Sequence, residues 1–585
     1  MTEKIRFVAK AHKDGSRLLV LDGSAPIDRA RAQSFSRAYV DFIAQLNASN
    51  ACRDWWAYSF TGKSPLSSRL PERCFYLSLI VAEAEALNGE TLCVVSTDDV
   101  LAGQVRLWAH EKGIGFEQPA RRRWGLKSTV NALTPLGPVV GFLRSLWHWL
   151  QARSRCRFNP DPKREYCVFA TLINQQSFDP SGGYRDIFFG DLPSRMEERK
   201  AEPLIFGSII GPFSTHLLRL TRSRCQVPVI PMDYFLSWRD LWDCFLNSLY
   251  RRWNEFPLRL TDRLKGLDVS FLIKEDMRRN CRESRFFSDL WYQACAQALL
   301  RELKVKTLYY PFENLSRERM LVLAFRSLSP QTRLVGYQHA TLTPAHLNFM
   351  LGKNEAAILP LPDAVVTMGE VTRDFMIERG GFLPSLLRAG CGLRQRPVTR
   401  SCQLSREAGN GRPLRLLVAL ATSPEESAGV LRLLDQTFPA SPDQPTITLR
   451  PHPVIPLSWG LKISGPVRLR FNEDRGPVDM AFSQADVVLY ASSTMGLEAV
   501  RRGIPVVCLD LGIFLNPDPL HDLTSLKWAA RDPESLRRAL RAISSLPERE
   551  MELMRRRAGE YAARYCPAAS PPRLEPFYDE PTLAR

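Results

Sequence analysis

The chain has 585 residues, 45% hydrophobic and 24% charged, proportions that suit a globular protein with a sizeable core and exclude a largely disordered one. Lys and Arg number 79 against 62 Asp and Glu, a formal charge of +17, and only 15 of the 79 are Lys. An Arg-rich excess fits an anionic partner such as a nucleotide, an acidic sugar or a lipid headgroup, although Arg-rich codon usage accounts for it equally well.

SRLLVLDGS (16–24) reads as a buried strand ending in a turn, and the apolar spacing from Ser34 to Leu46 as a helix. RCFYLSLIVAEAEALNG (73–89) is a helix closed by Asn-Gly, ETLCVVSTDD (90–99) a strand, and GQVRLWAHEKG (103–113) a helix with a Gly stop. In 136–158, Val139, Phe142, Leu143, Leu146, Trp147 and Leu150 form a wide apolar stripe, with Arg144, Arg153, Arg155 and Arg157 beside it. Such a helix either lies in a membrane interface or packs between domains; His148 there is read as filling a face. YCVFATL (166–172) restarts the strand pattern. Region 173–300 is hard to parse beyond helices near 236–252 and 284–303.

KVKTLYYPFEN (304–314) is a strand that opens into a turn at Glu313, followed by a helix over 316–328 and a strand, TRLVGYQHA (332–340), ending at His339. A short strand (362–369) and a helix (370–380) follow. The stretch 394–413 is polar, rich in Pro and Gly, and reads as a linker. Beyond it, strands are expected at 415–421, 446–453, 467–472, 486–493 and 505–510, with helices at 427–438 and 494–503. The fold class is α/β, with two Rossmann-like domains. Residues 1–393 form the first, 136–165 being an amphipathic helical insertion in it; 414–565 form the second, and 566–585 a Pro-rich disordered tail.

No run of about 18 apolar residues spans a membrane, and the opening MTEKIRFVAKAHKDG has no apolar leader, so a cytoplasmic protein is expected. The 13 cysteines are scattered, without CxxC or zinc-finger spacing, so neither disulfide nor zinc is expected.

The candidate chemistry lies at strand ends. TITLRPHP ends in Arg450, His452 and Pro453; DVVLYASS ends in Ser492 and Ser493, with Thr494 opening a helix and Glu498 one turn inside it. Ligands of open parallel sheets bind at the carboxyl ends of strands. Hydroxyls and N–H groups there suit a nucleotide phosphate, Glu498 a ribose, and His452 a phosphate oxygen or its protonation. Each residue also has an ordinary reading as a cap, surface or packing group. Ser96–Asp99 is a plain polar turn or a weak acceptor site.

LRPHP followed by ADVVLYASSTMGLEAVRRGIPVV resembles the C-terminal half of GT-B glycosyltransferases that build bacterial surface polysaccharides, among them sialyltransferases, capsule Kdo transferases and teichoic acid glycerophosphotransferases. YPFENLSRERML, VGYQHATLTPAHLNFML, PDAVVTMGEVTRDFM and GCGLR are similar to a bacterial surface-carbohydrate biosynthesis family of O-antigen loci. Together the matches span about 304–510. The resemblance implies that His452-Pro453 and Ser492-Ser493 hold a cytidine nucleotide's phosphate, and that Glu498 contacts its ribose. It also implies that catalytic groups come from the first domain, where Glu313 would serve as base or nucleophile. His339 would orient that carboxylate, relay its proton or bind the donor's carboxylate, with Gln338 beside it; Glu318 reads as structural. The implied activity is transfer of a CMP-activated ulosonic acid such as Kdo to a glycan or lipid-linked acceptor in lipopolysaccharide or capsule synthesis. No metal or other cofactor is expected, and peripheral association with the inner face of the cytoplasmic membrane is. The alternatives are an NDP-hexose or CDP-glycerol transferase and a catalytically silent scaffold. No nucleic-acid-binding signature appears.

Overall fold

The computed structural model describes residues 4–8, 17–21, 28–87, 90–118, 136–178, 183–199, 201–223, 225, 227–260, 262–394, 413–421, 423–438, 445–453 and 455–578. Among them are three sheets, each joined by parallel pairings. A parallel sheet is covered on both faces, so its strands read as continuous apolar runs rather than alternations.

The first sheet holds β1 (Lys4–Val8), β2 (Arg17–Val20), β3 (Thr91–Val95) and β4 (Gly115–Glu117) in the order β2-β3-β1-β4. Helices α1 (Arg29–Asn50), α2 (Leu70–Glu85) and α3 (Asp99–Glu111) accompany it. The second sheet holds β5 (Glu165–Ile173), β6 (Glu202–Ile209), β7 (Val229–Pro231), β8 (Lys304–Pro311), β9 (Arg333–Gln338), β10 (Ala364–Thr367) and β11 (Leu387–Ala389), ordered β11-β10-β9-β8-β5-β6-β7. Around it run α4 (Gly137–Arg155), α5 (Phe213–Arg222), α6 (Trp238–Trp253), α7 (Arg285–Glu302), α8 (Ser316–Leu328) and α9 (Glu370–Glu378). The third sheet holds β12 (Arg415–Ala419), β13 (Thr446–Arg450), β14 (Asn472–Glu473), β15 (Val487–Tyr490), β16 (Val506–Leu509) and β17 (Lys527–Ala530), ordered β14-β13-β12-β15-β16-β17. Helices α10 (Pro424–Thr437), α11 (Met495–Arg501), α12 (Glu548–Tyr565) and α13 (Pro571–Tyr578) belong to this half of the sequence.

In the second and third sheets the first strand sits between the second and the fourth. That is the doubly wound order, and the direction of winding reverses between β5 and β8 and between β12 and β15. Each reversal opens a crevice at the carboxyl edge. The two Rossmann-like units of the sequence reading are therefore present, but residues 1–393 carry an additional small sheet. It does not fold apart: Ile5, Phe7 and Leu92 share one core with Leu204, Phe206 and Leu308 of the larger sheet.

Several expectations change. The strand expected as buried at 16–24 is β2, an edge strand whose residues are exposed or half-exposed. The strand expected at 467–472 is reduced to the edge pair Asn472–Glu473, because the Asp435 carboxylate takes the N–H groups of Arg468 and Leu469 at 2.6 and 2.8 Å. Of the linker read at 394–413, residues 395–412 lie outside the described residues, as do 579–585 of the tail. Up to Tyr578 the tail is not disordered. Pro571 and Pro572 open α13, where a missing N–H costs nothing, and Leu574 and Phe577 bury against Phe169, Tyr309 and Tyr337 of the first half. Tyr309 Oη donates to Phe577 O at 2.9 Å. Full burial of a Leu or Phe side chain stabilises by about 1.5–3 kcal/mol, enough to hold a short Pro-rich helix.

The halves are joined elsewhere too. Phe514, in the loop after β16, packs on Phe75 with ring centroids 4.4 Å apart. Arg29 pairs with Asp510, and Arg379 with Asp522 at 2.7 Å. Tyr565, ending α12, accepts the Leu342 N–H at 3.0 Å. A Cβ on Gly369 would lie 2.1 Å from Tyr565 O, so this approach requires glycine. Loops from the carboxyl edges of both large sheets thus share one seam.

Candidate functional site

Glu313 follows β8 and His339 follows β9, so both stand at the carboxyl edge beside the first crossover point. The structure brings them together: His339 Nε2 lies 3.7 Å from Glu313 Oε1. The other carboxylate oxygen accepts from Arg317 Nη2 at 2.9 Å, which fixes the group's orientation. Glu313 keeps 29% side-chain exposure, His339 only 5%. Burial pushes the His339 imidazole down to about 4, with Arg394 adding to the fall and Glu313 opposing it. The ring is neutral at pH 7, and its Nδ1 has no hydrogen-bond partner among the described residues. Phe188 packs edge-on to it, centroids 4.4 Å apart.

The turn carrying Glu313 is held from behind. Asn314 adopts a left-handed φ of 54° and donates to Asn348 O at 2.7 Å. Asn348 in turn donates to Glu313 O at 2.7 Å. Glu318 accepts the N–H groups of Glu313 and Leu315, which holds the turn. Burial, reinforced by the Glu313 carboxylate, raises its carboxyl to about 8. Gln338 is fully buried and donates to Ala340 O rather than to His339. His346, past β9, is pushed down to about 4 by burial; Glu313 opposes the fall and His521 of the second half adds to it, so both halves act on this imidazole.

Asp289 lies just behind, accepting from Ser316 Oγ at 2.8 Å. Burial pushes its carboxyl up to about 7, against the Ser316 hydrogen bond and Arg317. The native state therefore keeps a proton that the unfolded chain releases near pH 4, and wild-type stability falls as pH rises between those values. Asp289→Asn removes that decline. Relative to wild type, the variant should gain up to about 1.4 kcal/mol per pH unit from pH 4 to 7, read by urea unfolding. A pH-independent difference would mean that this carboxyl titrates normally.

In the third sheet Ala419 is in register with both Arg450 and Tyr490. The continuations carrying His452 and Ser492 therefore flank the end of β12, on strands whose axes are about 10 Å apart. The side chains have specific commitments. Arg450 pairs with Asp474 and donates to Gly476 O at 3.0 Å, so its charge is already neutralised. Both donors of Ser492 go to Glu426 at the start of α10: the hydroxyl at 2.9 and 2.8 Å to the two carboxylate oxygens, the N–H at 3.1 Å. Ser493 Oγ accepts from Met495 N–H at 3.4 Å, and Thr494 is exposed. Glu498 binds Arg501 and Arg502 at 3.2 and 2.7 Å. His452 is half-buried and Pro453 exposed; burial lowers the His452 pKa.

Sequence reasoning passed over Glu426, Arg317 and Asn348. Glu426 is the notable one, because burial raises its carboxyl while Ser492 opposes the rise, and it stands at the second crossover point. Its only signal was an acidic pair after Ser423-Pro424 where β12 meets α10. The polar turn Ser96–Asp99 is a cap: Asp98 accepts the Val100 and Leu101 N–H groups and pairs with Arg73 at 2.8 Å. No group of three or more His, Cys, Asp or Glu among the described residues is arranged to hold a metal ion.

No family model matches the chain, and no curated protein does. Solved structures similar to it include a UDP-GlcNAc 2-epimerase from Neisseria meningitidis bound to UDP-GlcNAc, with 10% identity and a TM-score of 0.38, covering 71% of this chain and 100% of that one. MurG of Acinetobacter baumannii has 12% identity and a TM-score of 0.37, covering 69% and 97%. The glycosyltransferase SnogD from Streptomyces nogalater has 13% identity and a TM-score of 0.39, covering 69% and 96%. Similarity at this level assigns no activity or substrate to this chain.

Proposed function

We propose that the protein is a GT-B glycosyltransferase that takes its sugar from a nucleotide donor. The observation that supports this best is the half-exposed Glu313 carboxylate, oriented by Arg317 and His339 at a crossover point. The carboxyl edge that carries it shares a seam with the second Rossmann-like unit. In the finer reading the donor is a CMP-activated ulosonic acid, Kdo or a related sugar. The acceptor is a glycan or lipid-linked glycan of lipopolysaccharide or capsule synthesis, met at the inner face of the cytoplasmic membrane.

In this mechanism Glu313 takes the proton from the acceptor hydroxyl as that oxygen bonds to the anomeric carbon. The bond from the anomeric carbon to the phosphate oxygen breaks, and CMP leaves with the electron pair. His452 donates to the departing phosphate, assisted by Ser493 and Thr494, because Ser492 and Arg450 are committed to Glu426 and Asp474. Neutral His339 carries a single N–H: with Nε2 turned to Glu313, its Nδ1 can accept from a hydroxyl of the sugar. Neither step requires a metal ion as reactant.

Ligand-induced thermal shift tests the donor. CMP should raise the melting temperature by several degrees, and UDP, GDP and CDP should not. His452→Ala should abolish the CMP shift while melting normally without ligand. A response confined to UDP or GDP would replace the reading with an NDP-hexose transferase, and one confined to CDP with a CDP-glycerol transferase. Silence towards all four would favour a scaffold.

A further inference from the structure

Helix α4 is apolar on its outer face as well as its inner one. It turns the small residues Pro138, Gly141, Ser145 and Ala152 to the body of the protein, so closely that a Cβ on Gly141 would sit 2.8 Å from the Phe287 ring. Phe142, Leu146 and Trp149 are half-buried against the core, but Val140, Leu143, Trp147 and Leu150 face outward, 57%, 56%, 53% and 49% exposed. A surface helix ordinarily keeps its outer face polar. Helix α6 repeats the pattern at helical spacing, burying Leu241, Cys244 and Ser248 while Trp238, Trp242, Leu246 and Trp253 stand out.

The two helices lie side by side. Phe142 of α4 contacts Trp242 and Phe245 of α6, with centroids 4.9 Å apart in both pairs, so the outer stripes form one patch. Scattered apolar side chains on a surface are normal, but a continuous patch marks an interaction site. No helix among the described residues is long and apolar enough to cross a membrane.

We infer that α4 and α6 together form a docking face for an anionic phospholipid bilayer, with the tryptophans at headgroup level. Charge selects this occupant over a second copy of the chain. Residues 136–158 contain four arginines and no acidic residue, and Arg144, Arg155 and Arg157 are exposed beside the stripe. A two-fold interface would set such a surface against itself, whereas anionic headgroups neutralise it. The exposed Asp243 on α6 is a single acidic exception. His148 of α4 stacks on Phe213 at 3.8 Å, which ties the platform to α5. Helix α5 starts at the carboxyl end of β6, the sheet edge that also carries Glu313. The inference deepens the lipid-linked-acceptor part of the proposed function, yet stands if the donor assignment falls.

Vesicle flotation of the full-length protein tests it. Wild type should float with vesicles of equal phosphatidylcholine and phosphatidylglycerol at least about tenfold better than with phosphatidylcholine alone. Tryptophan emission should shift to the blue on binding. The pairs Leu143→Glu with Trp147→Glu, and Trp238→Glu with Leu246→Glu, should each weaken flotation at least about tenfold. Leu66→Glu, at a residue 83% exposed elsewhere, should leave it unchanged. Melting temperatures and any nucleotide-induced shift should match wild type, which separates loss of docking from failure of the donor site. If a Glu pair lowers the melting temperature, the corresponding Ser pair takes its place. Wild type that ignores anionic vesicles, or pair variants that float like wild type, would overturn the inference. So would a wild-type dimer that both pairs dissociate while no form of the protein floats.

Discussion

Glu313→Gln is expected to lower the transfer rate by about 10²–10⁴-fold, the usual range for a general acid–base group, while CMP still stabilises the protein as it does wild type. The amide keeps the shape of the carboxylate and can still accept from Arg317, whose pairing is partly solvent-exposed (35% and 29%). Such pairs contribute about 0–1 kcal/mol, so the melting temperature should barely move. What the amide cannot do is take a proton from a hydroxyl. Single-turnover measurements with a saturating donor isolate this step. Full activity in the variant would remove Glu313 from the chemistry. Joint loss of stability, nucleotide response and turnover would reduce it to a turn residue of the fold.

The second large effect is one of stability. Glu355→Ala should cost about 3–5 kcal/mol, as breaking one half of a buried ion pair does, out of a total that is typically 5–15 kcal/mol. Lys63 and Glu355 both have fully buried side chains and pair directly. Burial pushes the Lys63 ammonium down to about 8 despite the Glu355 carboxylate. Burial would raise Glu355, but Lys63, the Gly352 N–H and Arg319 more than offset it, and its pKa falls below the usual value. Glu355 also accepts from Asn47 Nδ2 at 2.7 Å and from Gly352 N at 2.8 Å. Truncation strands the Lys63 ammonium and the Gly352 N–H and leaves Asn47 Nδ2 only its longer bond to Thr61 O at 3.4 Å. Replacing the charges together, Lys63→Met with Glu355→Leu, should recover part of the loss, because the uncompensated ammonium is gone while the Gly352 N–H remains unpaired. Equal losses in the single and double variants, measured by urea unfolding, would show that charge is not the cause. The network reaches the site: Arg319, fully buried, donates to Thr61 O at 3.1 Å and to Asn314 Oδ1 at 3.2 Å, immediately beside Glu313.

Much of the fold was legible. The runs at 166–172, 307–310 and 487–490 are strands because a doubly covered parallel sheet demands continuous burial, and residues nearby in sequence carry that signal. Regions where neighbours compete were less legible. β6 and β7 lie in the aromatic, Arg-rich stretch 173–300, where helix and strand patterns overlap, and β17 is short and half-exposed. The strand expected at 467–472 has a suitable alternation, but a carboxylate on α10 claims its N–H groups. The Pro-rich end looked disordered because composition does not show that Phe577 finds a pocket some 270 residues away in sequence, beside Tyr309.

The site divides along the same line. Position at a strand end follows from the strand pattern, and on that ground Glu313, His339, His452 and Ser492 could be named from sequence. Which donors and acceptors are already engaged could not. Ser492 meets Glu426 across 66 residues, Arg450 meets Asp474 across 24, and the outward stripes of α4 and α6 adjoin through Phe142, which meets Trp242 and Phe245 about a hundred residues on. Sequence determined the periodicities, and through them the elements and their ends, because these depend on local geometry. Tertiary structure decided the partners, because the winding order β14-β13-β12-β15 sets loops side by side that the chain keeps far apart, and a polar group's chemistry depends on which neighbour takes its hydrogen bond.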